Sequence, residues 1–218
     1  MVGKLYGVGV GPGDPELLTL KAIRILQSVE VVVAPDGGGE HLAYRVVQPY
    51  LRNTVIFLPF RMGQGTESLA QDDVERIRKL LEMGKEVAFV TLGDPLLYST
   101  FVTLWRCLPE VEVEIVPGVS AFQLAAGKLR MPLAQGKERL AILPGEGLTE
   151  RILEGFDHLV IFKVSRECRA LLERLRRWHF QVGLASRLGL AEEVVYRDLE
   201  HLGEIPLDYF SLLIARKV

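Results

Sequence analysis

Short apolar runs alternate with longer amphipathic stretches along the first 130 residues of the chain. Runs rich in Val and Ile at 5–10, 29–34, 55–58, 87–92 and 111–116 read as strands. Several are apolar at consecutive positions, as expected where both faces of a strand are covered. Helical patterns fall between them, at about 15–27, 40–51, 68–83, 96–108 and 120–129. In the first, Leu17, Leu20, Ile23 and Leu26 recur at helical spacing, with Lys21 and Arg24 on the other face. Such alternation predicts an α/β unit built on a largely parallel sheet.

The segment 130–138 mixes Pro, Gly and charge and reads as a linker. Beyond it the pattern restarts, with strands at 140–143, 159–164, 182–186, 193–199 and 210–215 and one long helix over about 166–178. The last two strands leave no room for a crossover helix, so a mixed sheet with antiparallel pairs is expected. The fold class is therefore α/β, as two domains of unequal size, 1–134 and 138–218, and a cleft between domains is a preferred ligand site.

Composition narrows the function classes. A formal net charge of −2 over 218 residues gives no global footprint for nucleic acid or an anionic membrane. Cys107 and Cys168 are too few and too far apart for a disulfide framework or a CxxC site. His41, His158, His179 and His201 lack ligand spacing, so no protein-bound metal is expected. No apolar run reaches the roughly 18 residues of a membrane span. The N-terminus runs straight into a strand pattern without the segments of a signal peptide, which predicts a cytoplasmic location.

Chemistry concentrates in three glycine turns. Gly7-Val-Gly-Val-Gly-Pro-Gly-Asp-Pro-Glu16 lies between a strand and a helix, where glycines let a ligand approach the main chain. Asp14 there reads both as a helix cap and as a catalytic carboxylate. A dinucleotide fingerprint fails in every register, because Pro12, Asp14 and Glu16 stand where its third glycine belongs. Val90-Thr-Leu-Gly-Asp-Pro-Leu-Leu-Tyr-Ser-Thr100 repeats the Gly-Asp-Pro triplet at the end of another strand. Ile115-Val-Pro-Gly-Val-Ser-Ala-Phe122 is a third strand end, with Ser120 placed to cap a helix. Ligands of open α/β sheets bind at such carboxyl ends.

These three turns resemble the signature turns of the tetrapyrrole methylases, and the likeness runs through nearly the whole chain. Residues 160–166, 185–193 and 209–214 are most similar to the branch that methylates carbon 20 of precorrin-2 or cobalt-factor II in cobalamin synthesis. The resemblance implies the tetrapyrrole-methylase fold, a homodimer, and S-adenosylmethionine held in a trough between the two domains. It places the cofactor against Pro12, Leu92, Gly93, Asp94, Leu97, Ser120, Ala121, Lys163 and Leu188, with Phe210 and Ser211 nearby. Asp94 is left as either a ribose ligand or a cap. Lys163 is ambiguous too, since Ile161 and Phe162 beside it suggest core packing around its stem. The uroporphyrinogen branch carries an acid just after the second strand, where this chain has Pro35 and then Asp36. That departure argues against the first methylation of the pathway.

Methyl transfer from a sulfonium asks mainly for alignment and exclusion of water. A proton must then leave the methylated carbon, and Asp14, Tyr98 and Glu192 are candidates for its acceptor by type and segment alone. Arg45, Arg61, Arg166 and Arg187 stand near predicted loop ends and are candidates for the substrate's carboxylates, against the plain alternative of exposed surface arginines. Two other classes stay open at this point. A nicotinamide-dependent oxidoreductase would use the first turn and Asp36, and a non-catalytic binding module would keep the turns without chemistry.

Overall fold

The five apolar runs of the first half become β1 (Leu5–Gly9), β2 (Val31–Asp36), β3 (Thr54–Pro59), β4 (Val87–Thr91) and β5 (Val113–Val116). They form one sheet in the order β3-β2-β4-β1-β5, and every neighbouring pair is parallel. The computed structural model describes residues 2–36, 40–59, 69–164, 168–197, 207 and 209–218. Its chain divides into two units, Met1–Ser120 and Ala121–Val218.

Alternate strand positions feed two separate cores. Val31, Val33, Val87 and Phe89 pack with Val74, Ile77 and Leu81 of α3 (Gln71–Glu82) and Phe101 and Leu104 of α4 (Phe101–Arg106). Val32, Ala34, Ala88 and Val90 pack with Ala22 and Leu26 of α1 (Leu20–Ser28) and Ala43, Val46 and Val47 of α2 (Leu42–Val47). Strands covered on both faces have no polar side, which is why β1 and β4 are buried at every position.

The first helix departs from its sequence pattern. Asp14 caps only a 3-10 turn, Pro15–Leu17, by accepting the Glu16 N–H at 2.9 Å. The α-helix starts afresh at Leu20, where Thr19 Oγ1 accepts the Ala22 N–H at 3.1 Å. This restart rotates the buried face onto Ala22 and Leu26 and leaves Leu20 81% exposed, contrary to the expected stripe.

The second unit holds a mixed sheet, as the spacing of its strands predicts. Its strands are β6 (Leu140–Pro144), β7 (His158–Phe162), β8 (Phe180–Ser186), β9 (Val194–Tyr196) and β10 (Ser211–Lys217), in the order β6-β7-β10-β8-β9. Only β6 and β7 are parallel. Helix α5 (Ala121–Leu129) covers one face through Ala125 and Leu129, against Leu188, Leu212 and Ile214. Helices α6 (Glu150–Gly155) and α7 (Cys168–Arg177) lie over the other, where Leu153, Leu172 and Leu175 meet Leu159, Ile161 and Leu213.

Two expectations are corrected here. The boundary falls at Ser120–Ala121 rather than in 130–138, because α5 buries its apolar face on the second sheet. Gly183 permits that approach, since a Cβ there would stand 2.7 Å from Leu129 Cδ2. Helix α6 has no counterpart in the sequence reading, which gives this unit a single helix. Six residues ending in Gly155 carry too little periodicity, and Thr149 starts the helix by accepting the Ile152 N–H.

Candidate active site

In the first sheet β4, β1 and β5 are consecutive neighbours running the same way. The three glycine turns leave their carboxyl ends, so they emerge side by side. The backbone joins them directly. Val10 N–H donates to the Thr91 carbonyl at 2.9 Å, and Gly93 N–H to the Gly11 carbonyl at 2.8 Å. This second bond forms an isolated antiparallel bridge between Gly11 and Gly93.

The third turn locks in through a side chain. Asp94 Oδ1 accepts the Leu96 N–H at 2.9 Å, and its Oδ2 accepts the Gly118 N–H at 3.2 Å. The two Gly-Asp-Pro triplets thus do the same local job, each carboxylate holding the N–H two residues on. Asp94 alone also reaches a different strand end. Glycine is required where the three turns meet. A Cβ on Gly118 would lie 2.2 Å from the Gly93 carbonyl oxygen, and one on Gly9 would lie 2.6 Å from the Gly118 nitrogen.

Gly93 has φ +69°, and, its chain neighbours aside, the one atom of the described residues within 4 Å of a Cβ placed there is Ser120 Cα at 3.9 Å. Ser120 is buried, and so is Thr91 at the end of β4, which accepts a hydrogen bond from Ser99 Oγ at 3.1 Å. Ser99 Oγ in turn accepts the Phe101 N–H at 3.1 Å, fixing the start of α4. Sequence motifs mark the three turns, but neither this serine–threonine pair nor the Asp94–Gly118 bond has a local signal. Both join residues whose proximity depends on the tertiary fold.

The structure therefore brings Pro12, Leu92, Gly93, Asp94, Leu97 and Ser120 to one edge of one sheet. Pro12 is buried there and Leu92, Asp94 and Leu97 are half-buried. Ala121 follows Ser120 as the first residue of α5. Tyr98 is exposed in the second turn with φ +50°. Asp14 is committed to its own turn. Arg45 is exposed on α2, while Arg61 and Arg166 lie outside the described residues.

The other expected residues belong to the second unit. Lys163 is exposed just past β7, with φ +58° and its Nζ 5.4 Å from the Tyr209 ring centroid. Of the two readings the sequence left open for Lys163, this exposure disfavours the core-packed stem. Arg187 has φ +48° and lies 5.7 Å from the Phe210 ring. Leu188 is buried in the α5 core, and the buried Ser211 Oγ donates to Ser186 Oγ at 2.9 Å. Glu192 is exposed. Its neighbour Glu193 accepts the Gly189 N–H at 2.8 Å and pairs with Lys128 at 2.8 Å. Burial pushes the Glu193 carboxyl up, but the Lys128 and Gly189 hydrogen bonds and the Lys128 charge hold it below its ordinary range.

Among the described residues no group of three or more His, Cys, Asp or Glu is placed to hold a metal ion. No described helix is long and apolar enough to cross a membrane.

Residues 4–203 match the family described as tetrapyrrole (corrin/porphyrin) methylases. The chain belongs to that family. A Methanocaldococcus jannaschii protein named probable cobalt-precorrin-2 C(20)-methyltransferase is 37% identical, over 100% of this chain and 97% of the relative. The cobalt-precorrin-2 C(20)-methyltransferase of Salmonella typhimurium is 34% identical, over 100% and 98%. The solved uroporphyrin-III C-methyltransferase of Thermus thermophilus, in complex with S-adenosylhomocysteine, superposes with a TM-score of 0.70. It is 25% identical and the alignment covers 98% of this chain and 97% of that one. Membership of that family, with the broken fingerprint of the first turn, weighs against the nicotinamide reading.

Proposed function

We propose that this tetrapyrrole methylase transfers a methyl group from S-adenosylmethionine to carbon 20 of precorrin-2 or its cobalt-containing counterpart, in cobalamin synthesis. The observation that carries the reading is full-length similarity to two relatives named for that reaction. The interlocked turns of β1, β4 and β5 supply the place for the donor.

The residues present fit such a ligand. The missing side chain of Gly93, with Ser120 Cα 3.9 Å from where a Cβ would stand, leaves main-chain groups approachable, and Asp94 is the next residue in the chain. Pro12, Leu92, Gly93, Asp94, Leu97, Ser120 and Ala121 would hold the donor from the first turns. Lys163, Leu188, Phe210 and Ser211 join this assignment through the family resemblance. When bound, the donor supplies a methyl already activated on a sulfonium. The chain's contribution is orientation, and fixing donor and acceptor removes several kcal/mol of barrier, on the order of 7–11 in the best cases. Turns locked by backbone hydrogen bonds suit that task, because they do not reorganise as the reaction proceeds.

Arg45, Arg61, Arg166 and Arg187 are assigned to the substrate's carboxylates. Replacing each with Ala and titrating the tetrapyrrole tests them, and unchanged affinity in all four removes the assignment. A homodimer and a cytoplasmic location complete the reading; light scattering on the purified protein tests the first. The reaction itself is tested by incubating the protein with 13C-methyl donor and precorrin-2 or cobalt-factor II. The new NMR signal is expected on carbon 20, and a signal on another ring carbon contradicts the proposal.

A further inference from the structure

The three turns leave one step of this reaction unassigned. When the meso carbon bonds to the methyl group, the S–CH3 bond breaks and its electron pair stays on sulfur. The new centre still carries its original hydrogen. That proton must go to a base, and its electron pair returns to the macrocycle. Asp14 and Asp94 each already accept backbone N–H bonds at 2.9 Å, so neither stands uncommitted at this edge.

One further strand end reaches the same edge. Strand β2 is the neighbour of β4 on the side away from β1. Val33 pairs with Phe89, and counting on three residues brings Asp36 level with Leu92, the first residue of the second turn. Neighbouring strands lie about 5 Å apart, so the end of β2 flanks the proposed donor turns at close range. Asp36 also follows the phase of Val32 and Ala34, the face shared with Val90 and Leu92.

His41 stands over this strand end in an unusual backbone state. Its φ is +45°, a left-handed conformation that costs a non-glycine residue free energy and concentrates at functional sites. The ring packs on Phe57 of β3 at 4.3 Å between centroids, and Tyr44 meets the same Phe57 edge-on at 5.1 Å. Nδ1 is buried, has no hydrogen-bond partner among the described residues, and lies 3.7 Å from Asp36 Oδ1. The side chain is nevertheless 32% exposed. With Nδ1 enclosed, that exposure lies elsewhere on the side chain, and Nε2 is the ring nitrogen left to meet a ligand.

We infer that His41 Nε2 takes the proton released from the methylated meso carbon, with Asp36 as the positioning residue that holds the proton on Nδ1. This inference rests on the carbon-20 reading above. A carboxylate beside Nδ1 selects the tautomer whose Nε2 lone pair is free to accept. Catalytic hydrogen bonds often stand long before the ligand binds, and a 3.7 Å approach is of that kind. Imidazole is the side chain that most often serves in such a role. Phe57 packs against the ring at a 48° tilt, on the strand beside the one that carries Asp36.

The test uses the full-length enzyme, carbon-20-deuterated substrate and three variants: His41→Ala, His41→Asn and Asp36→Asn. Asn tolerates the left-handed backbone, which guards against a variant that merely fails to fold. Both His41 variants are expected to bind S-adenosylhomocysteine as the wild type does, while turnover falls about a hundredfold. Deuterium at carbon 20 should slow the variants more than the wild type, because proton loss becomes limiting. Added imidazole should restore part of the rate in His41→Ala. Asp36→Asn should lower kcat about tenfold with KM little changed. Wild-type turnover in both His41 variants overturns the inference, as does slowing with no isotope effect and no imidazole rescue. If the wild type itself puts no methyl on carbon 20, the reading above falls and takes the dyad with it.

Discussion

The first unit's five strands all run one way, so every strand delivers the chain to a turn at the same edge of the sheet. In the second unit antiparallel pairing of β7, β10, β8 and β9 divides the strand ends between two edges. The consequences differ in kind. Turns in the first unit are joined main chain to main chain, through Gly93–Gly11 and Val10–Thr91, with one carboxylate added. In the second, strand ends are tied by side chains: Ser211 to Ser186, and Glu193 to Gly189 and Lys128. The close approach of these turns demands glycine at Gly9 and Gly118, whereas side-chain ties can be trimmed one bond at a time. A ligand site that needs fixed main-chain groups is therefore better built on the first plan.

The sharpest way to break this contrast is Gly118→Ala. The added Cβ would meet the backbone of β1 at Gly9 and of the turn after β4 at Gly93, neither of which can give way. We expect a loss of about 3 kcal/mol or more and no measurable S-adenosylhomocysteine binding. Thermal melting with and without that ligand checks both. Next in size is Asp94→Ala, which removes a cap and the tie to Gly118 together. It should cost about 1–3 kcal/mol and weaken ligand binding, read by calorimetry. The matching Asp14→Ala loses only the local cap, for about 1 kcal/mol. Equal effects from the two aspartates would erase the distinction drawn between the triplets.

Variants of the second unit should do less. Ser211→Ala leaves a buried hydroxyl without one partner and should cost about 1 kcal/mol in chemical denaturation. Glu193→Gln should cost less than about 1 kcal/mol near neutral pH, given a half-exposed partner. Its effect depends on pH in a stated direction. The folded state holds this carboxyl below its ordinary range, so the stabilisation is present above the unfolded carboxylate's pKa. It is lost as pH falls through the lower folded value. The difference in Tm between wild type and Glu193→Gln should shrink on acidification, and a difference that grows would refute the assignment.

Much of this was legible in the chain itself, for identifiable reasons. Strands buried on both faces announce themselves as unbroken Val and Ile runs, and all five of the first unit appear within two residues of the expected spans. The glycine turns were legible because close backbone approach leaves glycine no substitute. The start of α1 was not: Asp14-Pro15 and Thr19 both offer good caps, and packing of Ala22 and Leu26 decides for the later one. Nor was the ownership of α5, whose small residues Ala125, Ala126 and Gly127 give no strong stripe. Its packing on Leu188, Leu212 and Ile214, with Leu129 fitted against Gly183, assigns it. His41 was passed over because its interest lies in a backbone angle and a distance to Asp36, neither of which a sequence records.

The central claim is that the methyl donor sits on the junction of the β1, β4 and β5 turns. A crystal structure of the protein with S-adenosylhomocysteine measures this most directly. The ligand should lie against Gly93 and Ser120, with a polar group within hydrogen-bond reach of Asp94 or of these turns' main chain. Density for the ligand anywhere else, with the three turns bare, would contradict the account.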